Sequence, residues 1–194
     1  MKGLQASIYM EQSIAMDGIK KAIFNTPLLR VLDILMQYPN VELSDSEITA
    51  KVEGVRRSAV HQSLVRLAGM GVLKRTHRGR RCFNALDPGH AWLHHLKLAG
   101  DILELAPLVE QLKGHSSRVV LFGSRAEGTA RYDSDFDVVV VTSEPETVNR
   151  IAAGSDLSGR LQLVAKTPSE MLDLDSREPV FAANIRKGVV LWER

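Results

Sequence analysis

The sequence has a single cysteine, no signal peptide and no long apolar run. Cys82 stands alone among 194 residues, which excludes an intrachain disulfide framework and a zinc site built from several cysteines. No apolar stretch approaches the roughly 18 residues that a membrane span needs. The first residues, MKGLQASIYMEQS, lack the apolar core of a signal peptide. We therefore expect a cytoplasmic protein with no membrane association.

The sequence also lacks low-complexity tracts and internal repeats. Hydrophobic residues make up 44% of the chain, which is typical of an ordinary globular protein. A length of 194 residues accommodates one large domain or two small ones. The composition therefore predicts a folded chain and leaves the number of domains to the local patterns.

The net charge of +2 conceals a strongly basic segment. Residues 51–84 contain nine Lys or Arg residues and one acid, Glu53, so this segment carries +8 and the rest of the chain −6. One basic block in an otherwise acidic chain is typical of a segment that contacts a polyanion.

Residues 26–87 show the pattern of three helices followed by a β-hairpin. Capping residues and apolar residues at helical spacing mark the helices. The first begins at Thr26-Pro27 and runs up to Pro39, the second is a short helix after Ser44 or Ser46, and the third spans residues 58–67. Two short strands follow at residues 72–77 and 82–86, joined by a basic turn.

This order of elements resembles bacterial winged-helix transcription regulators of the MarR and ArsR kind. The phrase Leu67-Ala-Gly-Met-Gly-Val-Leu-Lys-Arg75 and the basic turn add to the resemblance. It implies a winged helix-turn-helix that binds double-stranded DNA. Such proteins commonly act as homodimers, because a palindromic site mirrors two-fold symmetry.

The winged-helix interpretation divides the basic residues between two tasks. Residues near the start of the third helix are expected to reach base edges in the major groove; they are Arg56, Arg57, Ser58, His61 and Gln62. The wing residues Arg78, Arg80 and Arg81 are expected to meet phosphate or the minor groove. Lys74 and Arg75 are also expected to contact DNA. Two alternatives stay open, namely a charged face that is simply solvated and a winged helix that docks a protein.

The segments on either side of residues 26–87 carry weaker patterns. Residues 1–25 are loosely amphipathic, and we interpret them as an N-terminal extension and dimer element. Residues 88–116 have apolar residues at helical spacing and predict a helical connector, either one long helix or two joined near Ala106-Pro107.

The most informative stretch lies at residues 118–141, RVVLFGSRAEGTARYDSDFDVVVV. Two short runs rich in β-branched residues predict buried strands, separated by a turn and a helix that begin at Gly123-Ser124. Successive side chains of a strand alternate between faces, so Asp135 and Asp137 should point the same way while Phe136 points into the core.

Two adjacent carboxylates and a Gly-Ser turn are suited to a metal ion and a phosphate. Asp135 and Asp137 repel each other unless a cation lies between them, and Mg²⁺ takes one or two carboxylates plus substrate phosphates. Gly123 permits close approach of a phosphate, and Ser124 adds a hydroxyl. Each of these two features, taken separately, also has a purely structural interpretation. Gly123-Ser124 would then only cap a helix, and Ser134-Asp135 would only form a turn.

Taken together, the pattern G-S-x3-G-x5-S-D-x-D resembles the nucleotidyltransferase superfamily of the DNA polymerase beta type, specifically its minimal, MNT-like members. The resemblance covers residues 117–194. It implies an α/β domain with a mixed sheet, in which Gly123, Ser124, Arg125 and Ser134 bind a nucleoside triphosphate. It also implies that Asp135 and Asp137 are the catalytic carboxylates and hold Mg²⁺ or Mn²⁺.

The chain departs from the family at one position. Active members usually carry a third carboxylate on the next central strand, and here that segment reads Arg160-Leu-Gln-Leu-Val164, with Gln162 in the place of the acid. In two-metal transfer the third carboxylate helps to hold the catalytic metal and to activate the attacking hydroxyl. We therefore expect nucleotide or metal binding to survive while catalysis is weak or lost.

The sequence thus predicts an α+β protein with a winged helix-turn-helix at residues 26–87, a connector at 88–116 and a small nucleotidyltransferase-fold domain at 117–194. The predicted function is DNA-binding transcription regulation, with a C-terminal domain that binds nucleotide and Mg²⁺. One alternative is an active nucleotidyltransferase that modifies a protein, an RNA or a small acceptor. Another is the antitoxin-like member of a toxin-antitoxin pair, with a toxin-like protein as partner.

Overall fold

The computed structural model describes residues 22–87 and 89–194. Most of the dimer element predicted at residues 1–25 therefore lies outside the described residues. The described chain forms two compact units, with the division between Lys97 and Leu98. We call residues 22–97 the N-terminal unit and residues 98–194 the C-terminal unit.

Residues 26–69 of the N-terminal unit fold into three helices at the positions that the sequence pattern predicts. They are α1 (Pro27–Gln37), α2 (Asp45–Lys51) and α3 (Arg57–Gly69). The Thr26 hydroxyl accepts a hydrogen bond from the Leu29 amide, and Ser44 caps α2 together with Glu47. Buried apolar residues on all three helices form the core; they include Val31, Leu32, Leu35, Ile48, Val60, Leu64 and Leu67.

A small antiparallel sheet follows, in the order β1-β3-β2. Its strands are β1 (Leu43–Ser44), β2 (Leu73–Arg78) and β3 (Arg81–Leu86). The sequence pattern predicts β2 and β3 but not β1, because two residues are too few for a detectable alternation. Gly79, with a φ of 61°, is the first of the two turn residues between β2 and β3, so Arg78 and Arg81 face each other across the hairpin.

Helix α4 (Ala91–Lys113) is one continuous helix with Pro107 inside it, which decides between the two predicted arrangements. The division between the two units falls within α4. Its second half carries Leu105, Leu108 and Leu112, which are buried in the core of the C-terminal unit. The segment predicted as a connector therefore also supplies core residues to the domain that follows it.

The C-terminal unit is built on a four-stranded sheet in the order β6-β5-β4-β7. The strands are β4 (Arg118–Phe122), β5 (Phe136–Val141), β6 (Leu161–Lys166) and β7 (Val189–Glu193). Strands β5 and β6 are parallel, whereas β4 is antiparallel to both β5 and β7. The sheet is therefore mixed, as predicted.

Helices cover both faces of this sheet. In addition to the second half of α4 they are α5 (Gly123–Ala126), α6 (Pro145–Ala153), a 3-10 turn (Ser158–Arg160), α7 (Pro168–Leu172), α8 (Leu174–Arg177) and α9 (Pro179–Arg186). Val119 packs with Leu105, Leu112 and Phe136 on one face, and its neighbour Val120 packs with Ile185 on the other. Successive side chains of β4 therefore alternate between the two faces of the sheet.

Within the described residues, no helix has both the length and the apolar character needed to cross a membrane.

Candidate nucleotide and metal site

The site begins where β4 ends and β5 starts. These strands are antiparallel, and Phe122, the last residue of β4, pairs with Asp137 on β5. Gly123 therefore lies against the Asp137 side chain. The φ of Gly123 is 70°, a backbone conformation that favours glycine, and a Cβ atom at this position would lie 2.4 Å from Asp137 Oδ2, so the carboxylate would have to shift.

Asp135 and Asp137 flank Phe136, which is fully buried. Both aspartates are partly exposed, so their carboxylates remain accessible to solvent. Partial burial raises the pKa of Asp137, and the negative charge of Asp135 raises it further, while Arg125 lowers it. The ionised pair is therefore electrostatically unfavourable, as two neighbouring carboxylates without a cation should be.

Gln162 lies beside the carboxylates. In the parallel register of β5 and β6 it is opposite Asp137, and its Nε2 donates a hydrogen bond to Asp135 Oδ2 at 2.7 Å. A neutral amide donor thus contacts the aspartate pair from the neighbouring strand. Among the described residues, no group of three or more His, Cys, Asp or Glu side chains is placed to hold a metal ion.

Arg125 has structural contacts on several sides. Its side chain is buried, forms an ion pair with the buried Asp101 at 2.6 Å and donates to the carbonyl oxygens of Ser134 and Asp135. The guanidinium also lies 3.7 Å from the centre of the Phe136 ring. In this structure Arg125 fixes the main chain that leads into Asp135, and its contact with a nucleotide stays a prediction.

Sequence reasoning missed Asp101, although a signal for it exists. Asp101 is on α4 at helical spacing from Leu98 and Leu105, on the face that packs into the core. An acid at such a position needs a buried partner. The partner is 24 residues further along the chain, at Arg125, so the helix pattern alone does not identify it.

Ser134 also has a structural contact. Its hydroxyl accepts a hydrogen bond from the Arg131 amide at 2.8 Å, which closes the turn before Asp135. Together with the Arg125 contacts, this bond orders the residues between α5 and β5. Two of the predicted nucleotide-binding residues, Gly123 and Ser124, line an open space.

That space is a small pocket of about 170 Å³ next to the Gly-Ser turn. Its lining residues are Gly123, Ser124, Ala126, Glu127, Asn184 and Lys187. Asn184 is on α9 and Lys187 directly follows α9, so two of the lining residues come from a part of the chain that the sequence motif does not include.

The predicted DNA-contacting residues lie at the start of α3 and on the hairpin of the N-terminal unit. Arg56, Arg57, Ser58, His61, Gln62, Lys74, Arg78, Arg80 and Arg81 are exposed. Arg75 differs, because only 12% of its side chain is exposed and its guanidinium binds Asp45 at 2.9 Å. His61 Nδ1 contacts the same carboxylate at 3.0 Å, and Arg78 pairs with Glu42 at 2.6 Å.

Asp45 is hydrogen-bonded to His61 on α3, Arg75 on β2 and Asn84 on β3. Burial alone would raise its pKa, but hydrogen bonds with Asn84, His61 and Arg75 more than offset that effect and lower it. Arg75 therefore belongs to a structural network rather than to the exposed basic surface.

The raised pKa of Asp137 predicts how the stability of the metal-free protein depends on pH. Because the folded-state pKa lies above the unfolded value, the folded protein binds more protons between the two, and stability should fall as pH rises through that window. Asp137→Asn should remove this fall and stabilise the protein at neutral pH. Urea unfolding in EDTA at several pH values measures the difference between the two proteins, and a variant that is less stable than the wild type at pH 7 would contradict the assignment.

The comparison with protein families agrees with this geometry. Residues 108–194 match the family described as Polymerase beta, Nucleotidyltransferase. The match begins at Leu108, inside α4, and includes the core residues Leu108 and Leu112 of that helix. None of the curated proteins is similar enough to the chain to count as a match. The matched family, the mixed sheet and the Gly123–Asp137 contact together identify residues 108–194 as a nucleotidyltransferase-like domain.

Proposed function

We propose that the protein is a DNA-binding transcription regulator whose nucleotidyltransferase-like domain binds a nucleoside triphosphate with Mg²⁺. In this proposal, the domain transfers nucleotide weakly or not at all. The observation that carries the nucleotide half is the convergence of Asp135 and Asp137 next to Gly123 and the pocket, with Gln162 hydrogen-bonded to Asp135 at 2.7 Å.

The donor set fits one hard cation that is shared with a ligand. Asp135 and Asp137 offer carboxylate oxygens. Burial raises the pKa of Asp137 and the charge of Asp135 raises it further, and a divalent cation would relieve that repulsion. These two residues would hold Mg²⁺ or Mn²⁺, and the remaining coordination positions suit phosphate oxygens and water. Bound there, the ion would neutralise phosphate charge.

The residues around the ion perform the other tasks. Gly123 keeps the backbone close to the ligand, Ser124 offers a hydroxyl, and Arg125 holds the main chain before Asp135 in place. Gln162 offers an amide in place of a carboxylate. Because an amide does not accept the proton of an acceptor hydroxyl at neutral pH, the site is suited to binding a nucleotide more than to transferring it.

The DNA half rests on the N-terminal unit. Its order of three helices and a β-hairpin with a strand at its edge supports a winged helix-turn-helix, with α3 as recognition helix and the β2-β3 turn as wing tip. Arg56, Arg57, Ser58 and Gln62 form an exposed polar cluster at the start of α3. In this proposal the protein binds palindromic duplex DNA as a cytoplasmic homodimer.

Neutralising the wing tip should weaken DNA binding and flatten its dependence on salt. For Arg78→Gln, Arg80→Gln and Arg81→Gln together, each phosphate contact that is lost should reduce the slope of log K against log salt by about 0.9. A matched control neutralises Arg150, Arg177 and Arg186, which are exposed on the C-terminal unit. Fluorescence anisotropy with duplex DNA at several salt concentrations measures both sets, and equal slopes in the two triple variants would remove the wing from the interface.

Contacts to base edges should affect sequence preference rather than salt dependence. Gln62→Ala should change the preference among DNA sequences while leaving the salt slope nearly constant, because a contact to a base edge distinguishes base pairs and a phosphate contact does not. Selection from a random duplex pool before and after the substitution measures the preference.

An active nucleotidyltransferase is the second candidate function. The intact contact between Gly123 and Asp137, with Asp135 beside it, favours this candidate. Incubation with each labelled nucleoside triphosphate, Mg²⁺ or Mn²⁺ and a cell lysate distinguishes the two candidates. Brisk label transfer by the unmodified protein, lost in Asp137→Asn, would make the enzyme the better description.

A further inference from the structure

We propose that Lys187 and Asn184 bind the phosphate chain of the nucleotide together with the Gly-Ser turn. The inference rests on the proposed nucleotide binding and adds two residues that lie outside the G-S-x3-G-x5-S-D-x-D motif. Both line the pocket that contains Gly123 and Ser124. They come from the end of α9, about 60 residues further along the chain.

The fold holds this turn next to β4. A Cβ atom on Gly188 would lie 2.5 Å from the carbonyl oxygen of Leu121 and 2.8 Å from Val120 Cγ1, so only glycine permits the approach. Strand β7 then pairs with β4, with Val189 opposite Leu121. Because Leu121 is two residues before Gly123, the packing of Gly188 keeps Lys187 at the end of β4 where the pocket lies.

The pocket has the size of a phosphate chain rather than of a whole nucleotide. Its volume of about 170 Å³ is below the range of about 300–1,000 Å³ found for pockets that enclose drug-sized ligands. A Lys ammonium, an Asn amide and a Ser hydroxyl offer hydrogen-bond donors that suit phosphate oxygens. The base and the sugar would then lie outside this pocket.

The lining charges set the direction of each expected effect. Among the lining residues, Lys187 carries the positive charge and Glu127 the negative one. Arg186, the neighbour of Lys187, is not a lining residue, and its guanidinium binds Asp175. Lys187 should therefore attract a polyphosphate and Glu127 should repel it, while Arg186 should have little influence.

The test compares three substitutions and several ligands by isothermal titration calorimetry on the full chain. Lys187→Gln should weaken binding of Mg-ATP by about tenfold or more, as expected when a charge-assisted hydrogen bond is lost. The loss of affinity caused by Lys187→Gln should be smaller for AMP, which lacks the β- and γ-phosphates. Glu127→Gln should tighten Mg-ATP binding, and Arg186→Gln is the control that removes a neighbouring charge.

Inorganic triphosphate separates this inference from the proposed function. If Lys187→Gln weakens the binding of both inorganic triphosphate and Mg-ATP, both proposals are supported. If it weakens inorganic triphosphate binding but the wild type does not bind Mg-ATP, the phosphate site stands and the proposed function fails. Equal affinities of wild type and Lys187→Gln for Mg-ATP, or no binding of inorganic triphosphate to the wild type, would overturn the inference.

Discussion

Arg125→Ala should destabilise the C-terminal unit by about 3–5 kcal/mol, because the substitution removes the cation from a buried ion pair. The Arg125 and Asp101 side chains are 5% and 8% exposed and meet at 2.6 Å. The same guanidinium lies over the Phe136 ring and binds two main-chain carbonyls before β5. The substitution therefore affects α4, the core and the carboxylate strand together.

Arg160→Ala is the matched control. Arg160 also pairs with an acid on α4, Glu104, and its guanidinium is 5.7 Å from the centre of the Phe136 ring, but 45% of its side chain is exposed. An exposed ion pair contributes about 0–1 kcal/mol, so this variant should remain close to the wild type. Both arginines pair with an acid on α4 and lie near the Phe136 ring, and the main difference between the two ion pairs is burial.

Urea unfolding followed by tryptophan fluorescence measures both variants. Trp92 is on the first turn of α4, in the N-terminal unit, and Trp192 is on β7, where it packs against the core of the C-terminal unit. With Trp92→Phe in every protein, the remaining signal reports on the C-terminal unit. Equal losses in Arg125→Ala and Arg160→Ala would show that burial of the Arg125 pair adds no stability.

Gln162→Asp should raise nucleotide transfer by a factor of about 10² or more, because a positioned general base typically contributes 10²–10⁴. Gln162 is opposite Asp137 in the β5-β6 register, so the new carboxylate would lie where two-metal transfer uses its third acid. Release of labelled pyrophosphate and label transfer from nucleoside triphosphate measure the gain. The double variant Gln162→Asp with Asp137→Asn should lose it again.

The same substitution should make the protein more dependent on metal. Gln162→Asp removes the hydrogen bond to Asp135 Oδ2 and adds a third negative charge next to the pair. We therefore expect lower stability in EDTA and a larger stabilisation by Mg²⁺ than in the wild type. Gln162→Ala removes the amide without adding charge and should leave transfer unchanged; if transfer by the wild type is already fast and survives Gln162→Ala, another group supplies the base.

Sequence reasoning identified the parts of the site that are close in the chain. Gly123, Asp135 and Asp137 belong to one strand-turn-strand segment, and the spacing alone predicts that the two aspartates share a face. Gln162 could be placed because β6 is the next strand after β5. These inferences depend on local periodicity and on neighbouring strands, which a single sequence displays.

The partners that come from distant segments could not be predicted in the same way. Asp101 lies on α4 before the motif, and Lys187 directly follows α9 after it. The residues adjacent to them in the sequence do not indicate which distant residues they contact. Arg125 illustrates this limit. Its position after Gly-Ser suggested a phosphate contact, whereas the buried Asp101 and the ring of Phe136 draw its guanidinium inward.

The partners of charged residues in the basic segment, residues 51–84, could not be predicted from the sequence either. Counting Lys and Arg residues predicts a polyanion-binding segment, but the count treats every cation as exposed. Arg75 binds Asp45 and is largely buried, while Arg80 at the hairpin turn is exposed. The difference depends on Asp45, which is 30 residues before Arg75 in the sequence.

Binding of a nucleoside triphosphate with Mg²⁺ to the two aspartates is the central claim, and ligand-induced stabilisation with Mg-ATP as the probe tests it most directly. At a ligand concentration of 100 times Kd, the wild type should gain about 2.7 kcal/mol in the free energy of unfolding. The gain should require Mg²⁺, and the double variant Asp135→Asn with Asp137→Asn should show none of it. Stabilisation of the double variant equal to that of the wild type, measured by urea unfolding with and without Mg-ATP, would contradict the claim and place the site elsewhere.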